Sequence, residues 1–97
     1  MVKHMIIWKL KALDDPAAQK RAIKEALEGL VGKIDGLLEM HILTECLPVS
    51  SGDLMMDSAF TSADALAAYQ KHPLHVEIAN TLVRPVADVR LSFDYEI

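Results

Sequence analysis

The chain has a single cysteine, Cys46, among its 97 residues. One cysteine excludes an internal disulfide and a cysteine-based zinc site. No histidine stands beside it in sequence, so Cys46 reads as a small buried apolar residue rather than a nucleophile. The sequence also lacks any apolar run approaching the roughly 20 residues that span a bilayer. Its early stretch Met5-Ile6-Ile7-Trp8 is too brief for a signal-peptide core. A cytoplasmic location is expected. An excess of positive charge is missing too: the formal net charge is −4 and the lysines are scattered. That balance provides no attraction for phosphate backbones or anionic lipid, so neither nucleic acid nor a membrane surface is expected as a partner. There is no internal repeat, low-complexity tract or linker, and residues 1–97 read as one domain.

What is abundant is apolar material, 52% of the chain. That fraction is high for a soluble monomer, and a domain of this size gains stability from an oligomer interface. The pattern predicts where such a surface lies. Val2 to Leu10 alternates as a strand, with His4, Ile6, Trp8 and Leu10 on one face and Lys3, Met5, Ile7 and Lys9 on the other. Asp14-Asp15-Pro16 supplies a helix start, and Ile23, Ala26, Leu27, Leu30 and Val31 form a helical stripe expected to stop at Gly32. Leu37 to Leu47 alternates as a long strand, with Leu38, Met40, Ile42, Thr44 and Cys46 on one face. Loop residues 48–52 then lead to a strand from Leu54 to Phe60, making an antiparallel hairpin.

Thr61 or Ser62 can cap a helix carrying Leu66 and Tyr69, which Pro73 interrupts. Pro73 suits the first turn of another helix, carrying His75, Ile78, Ala79 and Leu82 and ending before Pro85. Val86 to Tyr95 closes the chain as a strand with Ala87, Val89, Leu91, Phe93 and Tyr95 on one face and Asp88, Arg90, Ser92 and Asp94 on the other. The order βαββαβ is the ferredoxin-like arrangement: an antiparallel sheet with helices on one face. Met5 and Ile7 would then lie on the uncovered face, at a cost of roughly 1.5 to 3 kcal/mol per large apolar side chain left in water. A homodimer packed sheet against sheet, with its helices outside, is expected.

The opening Val2–Lys11 strand, Phe60-Thr61-Ser62 leading to Leu66 and Tyr69, His72-Pro73-Leu74-His75, and the closing Phe93-Asp94-Tyr95 together resemble the stress-responsive dimeric α/β barrel (Dabb) family over essentially the whole chain. The resemblance implies a ferredoxin-like subunit whose sheet pairs with a second copy to close a barrel. It also implies a site. In a plant polyketide cyclase of the family, which works without a cofactor, a strand histidine, a helix histidine and a tyrosine ahead of it line the pocket. Those positions fall on His4, His75 and Tyr69. A further pocket tyrosine in the first helix of that enzyme has no counterpart, since Ala26-Leu27 stands near that place.

The chemistry of the trio can also be read directly. Imidazole is the side chain that titrates nearest neutrality, and a helix N-terminus would hold His75 neutral and able to act as a base. Tyr69 or a protonated His4 could donate to an enolate oxygen. His4, His75 and Tyr69 are thus the candidate catalytic residues, and Trp8, Ile6 and His72 the candidate ligand contacts. His72 also reads as a cap or orienting group of the turn, and Trp8 as core. No metal site and no cofactor are expected: proline separates His72 from His75, and no carboxylate stands directly beside either. Three functions are compatible with these residues. The leading one is a dimeric binder of a small hydrophobic or carbonyl-containing ligand. The others are a cofactor-independent cyclase, isomerase or lyase, and a structural stress-associated assembly protein without ligand. A haem-dependent or cofactor-free oxygenase is a weaker fourth.

Overall fold

The computed structural model describes residues 1–97 as four strands and three helices. These are β1 (Val2–Leu10), α1 (Pro16–Glu28), β2 (Leu37–Leu43), β3 (Leu54–Phe60), α2 (Ala63–Lys71), α3 (Pro73–Ile78) and β4 (Ala87–Glu96). A π-helical turn, Ala79–Val83, extends α3. The sheet order is β2-β3-β1-β4, antiparallel at every pairing. This is the expected ferredoxin-like fold. No helix is long and apolar enough to cross a membrane.

Capping agrees with the sequence signals. Asp15 accepts from the Ala18 amide at 3.1 Å with Pro16 in the first turn, and Ser62 accepts from the Ala65 amide at 3.1 Å. His72 closes α2 and opens α3, its Nδ1 accepting from the Leu74 amide at 3.1 Å. The helix stripes bury Ile23, Leu27, Leu66 and Tyr69 against His4, Ile6 and Trp8 of β1 and Met40, Ile42, Met56 and Phe60 of the hairpin. Two side chains of α1 protect the free edge of β2. Glu28 accepts from the Ile42 amide at 2.9 Å, and Lys24 donates to the Ile42 carbonyl at 3.0 Å and to Glu28 at 2.7 Å.

Four local expectations are corrected. α1 ends at Gly29, not Gly32, because a glycine inside a helix costs about 1 kcal/mol. The chain continues in tighter turns, Leu30 to Leu27 and Lys33 to Leu30, which keep Leu30 and Ile34 buried but swing Val31 into solvent. β2 ends at Leu43 rather than Leu47, so Cys46 lies in a loop and is exposed, not buried. A register shift between Leu37 and Glu39 turns Leu38 outward, and Leu37, Met40 and Ile42 form the inner face. A second shift, between Lys9 and Leu10, pairs Leu10 with Ala87, which puts Ala87 on the side opposite Val89 and with Arg90.

The face away from the helices is apolar in its middle. Ile7, Leu43, Val89, Leu91, Phe93 and Tyr95 are each at least 43% exposed there. β4 is inverted relative to a solvent-facing edge strand: its apolar residues point to the open side, and Arg90, Ser92 and Asp94 share the helix side with Trp8, Ile6 and His4, their register partners.

Candidate functional site

A cavity of about 320 Å³ opens between the sheet and the α3 region. β1 lays His4, Ile6 and Trp8 along its floor because alternate residues of a strand share a face. Leu27 and Met56 extend the apolar wall. The opposite wall comes from Gln70 at the end of α2, His75 in α3, and Ala79, Val83 and Arg84 in and after the π turn. In that turn the Arg84 amide reaches back five residues to the Ala79 carbonyl at 2.9 Å, and Gln19 of α1 donates to the Leu82 carbonyl at 3.2 Å. π-helical turns occur frequently at functional sites, and this one brings three cavity residues into place. Arg90 of β4 completes the rim.

His4 is buried and its position is fixed twice. Its carbonyl accepts from buried Ser58 Oγ at 2.6 Å, and its ring Nδ1–H donates to the Asp94 carboxylate on β4. That bond selects the tautomer and leaves Nε2 as the nitrogen free for a ligand. His75 is half-buried, with an Nδ1 that is buried and has no partner. Burial holds its pKa below the usual imidazole value, helped by the neighbouring His4, Arg84 and Arg90 and opposed by the Gln70 carbonyl. The direction is the one anticipated from the helix N-terminus, but the principal cause is desolvation. His75 is therefore a neutral base at neutral pH, facing an imidazole oriented by a carboxylate.

Tyr69 stands behind His75 and is not part of the cavity lining. Its ring lies 4.2 Å from His75 and 4.9 Å from Phe60, and Phe60 is 6.3 Å from His4, so one aromatic run backs both histidines. The Tyr69 hydroxyl is buried without a partner, and burial pushes its pKa well up, against a lowering influence from Arg90. Trp8 is both core and cavity: it is 3% exposed, yet it lines the space and its indole N–H lacks a partner. His72 does not line the cavity; it is the cap of α3. No group of three or more His, Cys, Asp and Glu is arranged to hold a metal ion.

Asp94, Arg84, Arg90 and Gln70 were not anticipated in the site. A signal for two of them was present, since Arg90 and Asp94 alternate on the polar face of the last strand. Only the pairing of β4 with β1, Trp8 with Arg90 and His4 with Asp94, brings that face onto the cavity side.

The sequence signature of the Dabb family, the stress responsive A/B barrel domain, matches residues 2–97. Among solved structures, a dimeric protein of unknown function and ferredoxin-like fold from Bacteroides fragilis is 25% identical, with a TM-score of 0.90 over 99% of this chain and 95% of that one. A protein from Arabidopsis thaliana is 27% identical, with a TM-score of 0.81 over 100% and 95% of the two chains. SnoaB, a cofactor-independent oxygenase from Streptomyces nogalater, is 14% identical at a TM-score of 0.77 over 99% and 91%, a likeness of fold alone. No curated protein matches the chain in sequence.

Proposed function

The chain belongs to the stress responsive A/B barrel (Dabb) family, and on that footing we propose that it is a cytoplasmic homodimer that binds a small hydrophobic, carbonyl-containing molecule between His4 and His75. The observation that carries this reading is the cavity itself. An apolar floor of Ile6, Trp8, Leu27 and Met56 lies beneath two imidazoles, with buried, unpartnered polar atoms at Trp8 Nε1 and His75 Nδ1. Convergent polar groups over an apolar floor are the usual form of a ligand pocket, and a buried donor without a partner gains most when a ligand oxygen arrives. The pocket also favours this reading over a purely structural role.

The dimer is supported by the open apolar face and by the dimeric state described for the Bacteroides fragilis relative. Lys3 and Asp57, which lie on the same face, pair with each other and so can enter an interface without an unpaired charge.

Calorimetric titration with hydroxyacetophenones, compact phenolic ketones, tests the ligand reading. Saturable binding that is lost in His75→Leu at unchanged folding is the expected result. Absence of binding across the series contradicts it.

A second reading, a cofactor-independent enzyme, is favoured by one observation: the His4–Asp94 pair facing His75. Proton removal next to a carbonyl needs a base and a donor to the developing enolate oxygen; His75 can be the base and a protonated His4, donating from Nε2, the donor, with Tyr69 positioning His75. Turnover of a polycarbonyl substrate that disappears in both His4→Ala and His75→Ala separates this reading from binding alone.

A further inference from the structure

The polar lining of the cavity is one-sided, and the inference from it rests on the ligand-binding reading above. Its charged or chargeable members are His4, His75, Arg84 and Arg90, and no carboxylate lines it. Asp94 stands outside the lining, turned to His4. In a chain of net charge −4, two arginines on one rim with no acidic partner are against the general balance. Neither forms an ion pair. Arg84 donates from one guanidinium nitrogen to the amide oxygen of Asn80, which holds its head without neutralising it and leaves its other N–H groups free. Arg90 makes no side-chain hydrogen bond to the protein, and it sits directly across the sheet from Trp8, its register partner. Both cations act on the interior, since each lowers the His75 pKa.

A planar guanidinium binds a carboxylate through two parallel N–H groups, and two of them without counter-ions repel each other until an anion arrives. We infer that the ligand of this cavity is a carboxylic acid: an apolar ring or short chain that packs on Trp8, Ile6 and Met56, with its carboxylate held at the rim by Arg84 and Arg90. Anchoring the acid at the rim sets any carbonyl further along the molecule between the two histidines. The arginines are thus specificity determinants, separate from the imidazoles that do the proposed chemistry.

Trp8 is the only tryptophan of the chain and lines the cavity, so its fluorescence reports occupancy. The probes are para-butylbenzoate and its uncharged isostere para-butylbenzamide. The wild type should bind the acid about tenfold tighter than the amide or better, and Arg84→Met combined with Arg90→Met should abolish that preference without changing amide affinity. Lys33→Met, which removes one positive charge from a distant turn, should leave the preference intact. Equal binding of acid and amide by the wild type, or a preference that survives the double arginine variant, overturns the carboxylate proposal while the pocket reading stands. If neither probe changes the fluorescence or competes with a hydroxyacetophenone, the pocket reading fails and the carboxylate proposal with it.

Discussion

Replacing Tyr69 by phenylalanine should make the protein more stable. The ring is 1% exposed and packs on Phe60 and His75, contacts that phenylalanine retains. What the substitution removes is a hydroxyl that is buried and has no hydrogen-bond partner. A buried polar group left unpaired costs about 1–3 kcal/mol, and the small space vacated returns some of that as lost packing. A net gain of about 1 kcal/mol is expected, which for a domain of this size raises Tm by roughly 4–8 °C. Urea denaturation at one fixed protein concentration measures it, the fixed concentration being needed because a dimer's midpoint depends on it. Ligand affinity or turnover should not improve with stability, and should fall if the hydroxyl orients His75 during binding. A loss of 1 kcal/mol or more in Tyr69→Phe would refute the reasoning, because it would mean the hydroxyl is satisfied in the folded protein.

The geometry carries three more expected outcomes. Ile7→Asp, on the open apolar face, should raise the dimer dissociation constant by roughly thirtyfold or more, the equivalent of about 2 kcal/mol at an interface hot spot. Lys20→Asp on α1 should leave it unchanged, with both read by sedimentation. Gly36 has φ +84°, and a Cβ there would sit 2.6 Å from the Ala65 Cβ, so Gly36→Ala should destabilise by about 2 kcal/mol or more in urea melts. Gly32→Ala, with φ +88° but open space around it, should cost less. The depressed pKa of His75 means that the folded state resists protonation more than the unfolded chain, whose value is 6.5. Its contribution to stability is therefore complete above that pH and declines as pH falls below it. His75→Gln should flatten the part of the stability profile that falls away below pH 6.5.

Much of the architecture was legible because strand and helix periods differ so clearly. β1 and β3 have the bounds that alternation predicts, and Met5 and Ile7 opposite Trp8 pointed to an open sheet face. The errors fall where a single residue breaks the period. Gly29 stops α1 a turn early, and extra residues at Leu38 and near Ala87 reverse the facing of their neighbours along the strand. Bulges depend on how two strands pair, which no one-strand pattern reveals. Cys46 was misplaced for a related reason, because the strand signal ran on into residues that the fold uses as loop.

His4, Ile6, Trp8 and His75 line one cavity, and Tyr69 lies one layer behind. Asp94 escaped notice because its partner His4 is 90 residues away, and only the β1–β4 register brings them together. Arg84 was hidden by the π turn, which shifts the residues after it relative to α-helical spacing.

That His4 and His75 share one ligand-accessible space is directly testable, because the chain has only four histidines. Histidine-selective isotope labelling gives one set of ring signals each for His4, His41, His72 and His75. On titration with a hydroxyacetophenone or para-butylbenzoate, the rings of His4 and His75 should shift together with one dissociation constant while those of exposed His41 and helix-capping His72 stay in place. If the rings do not respond, or if His41 or His72 responds while His4 and His75 do not, the two imidazoles do not share a pocket.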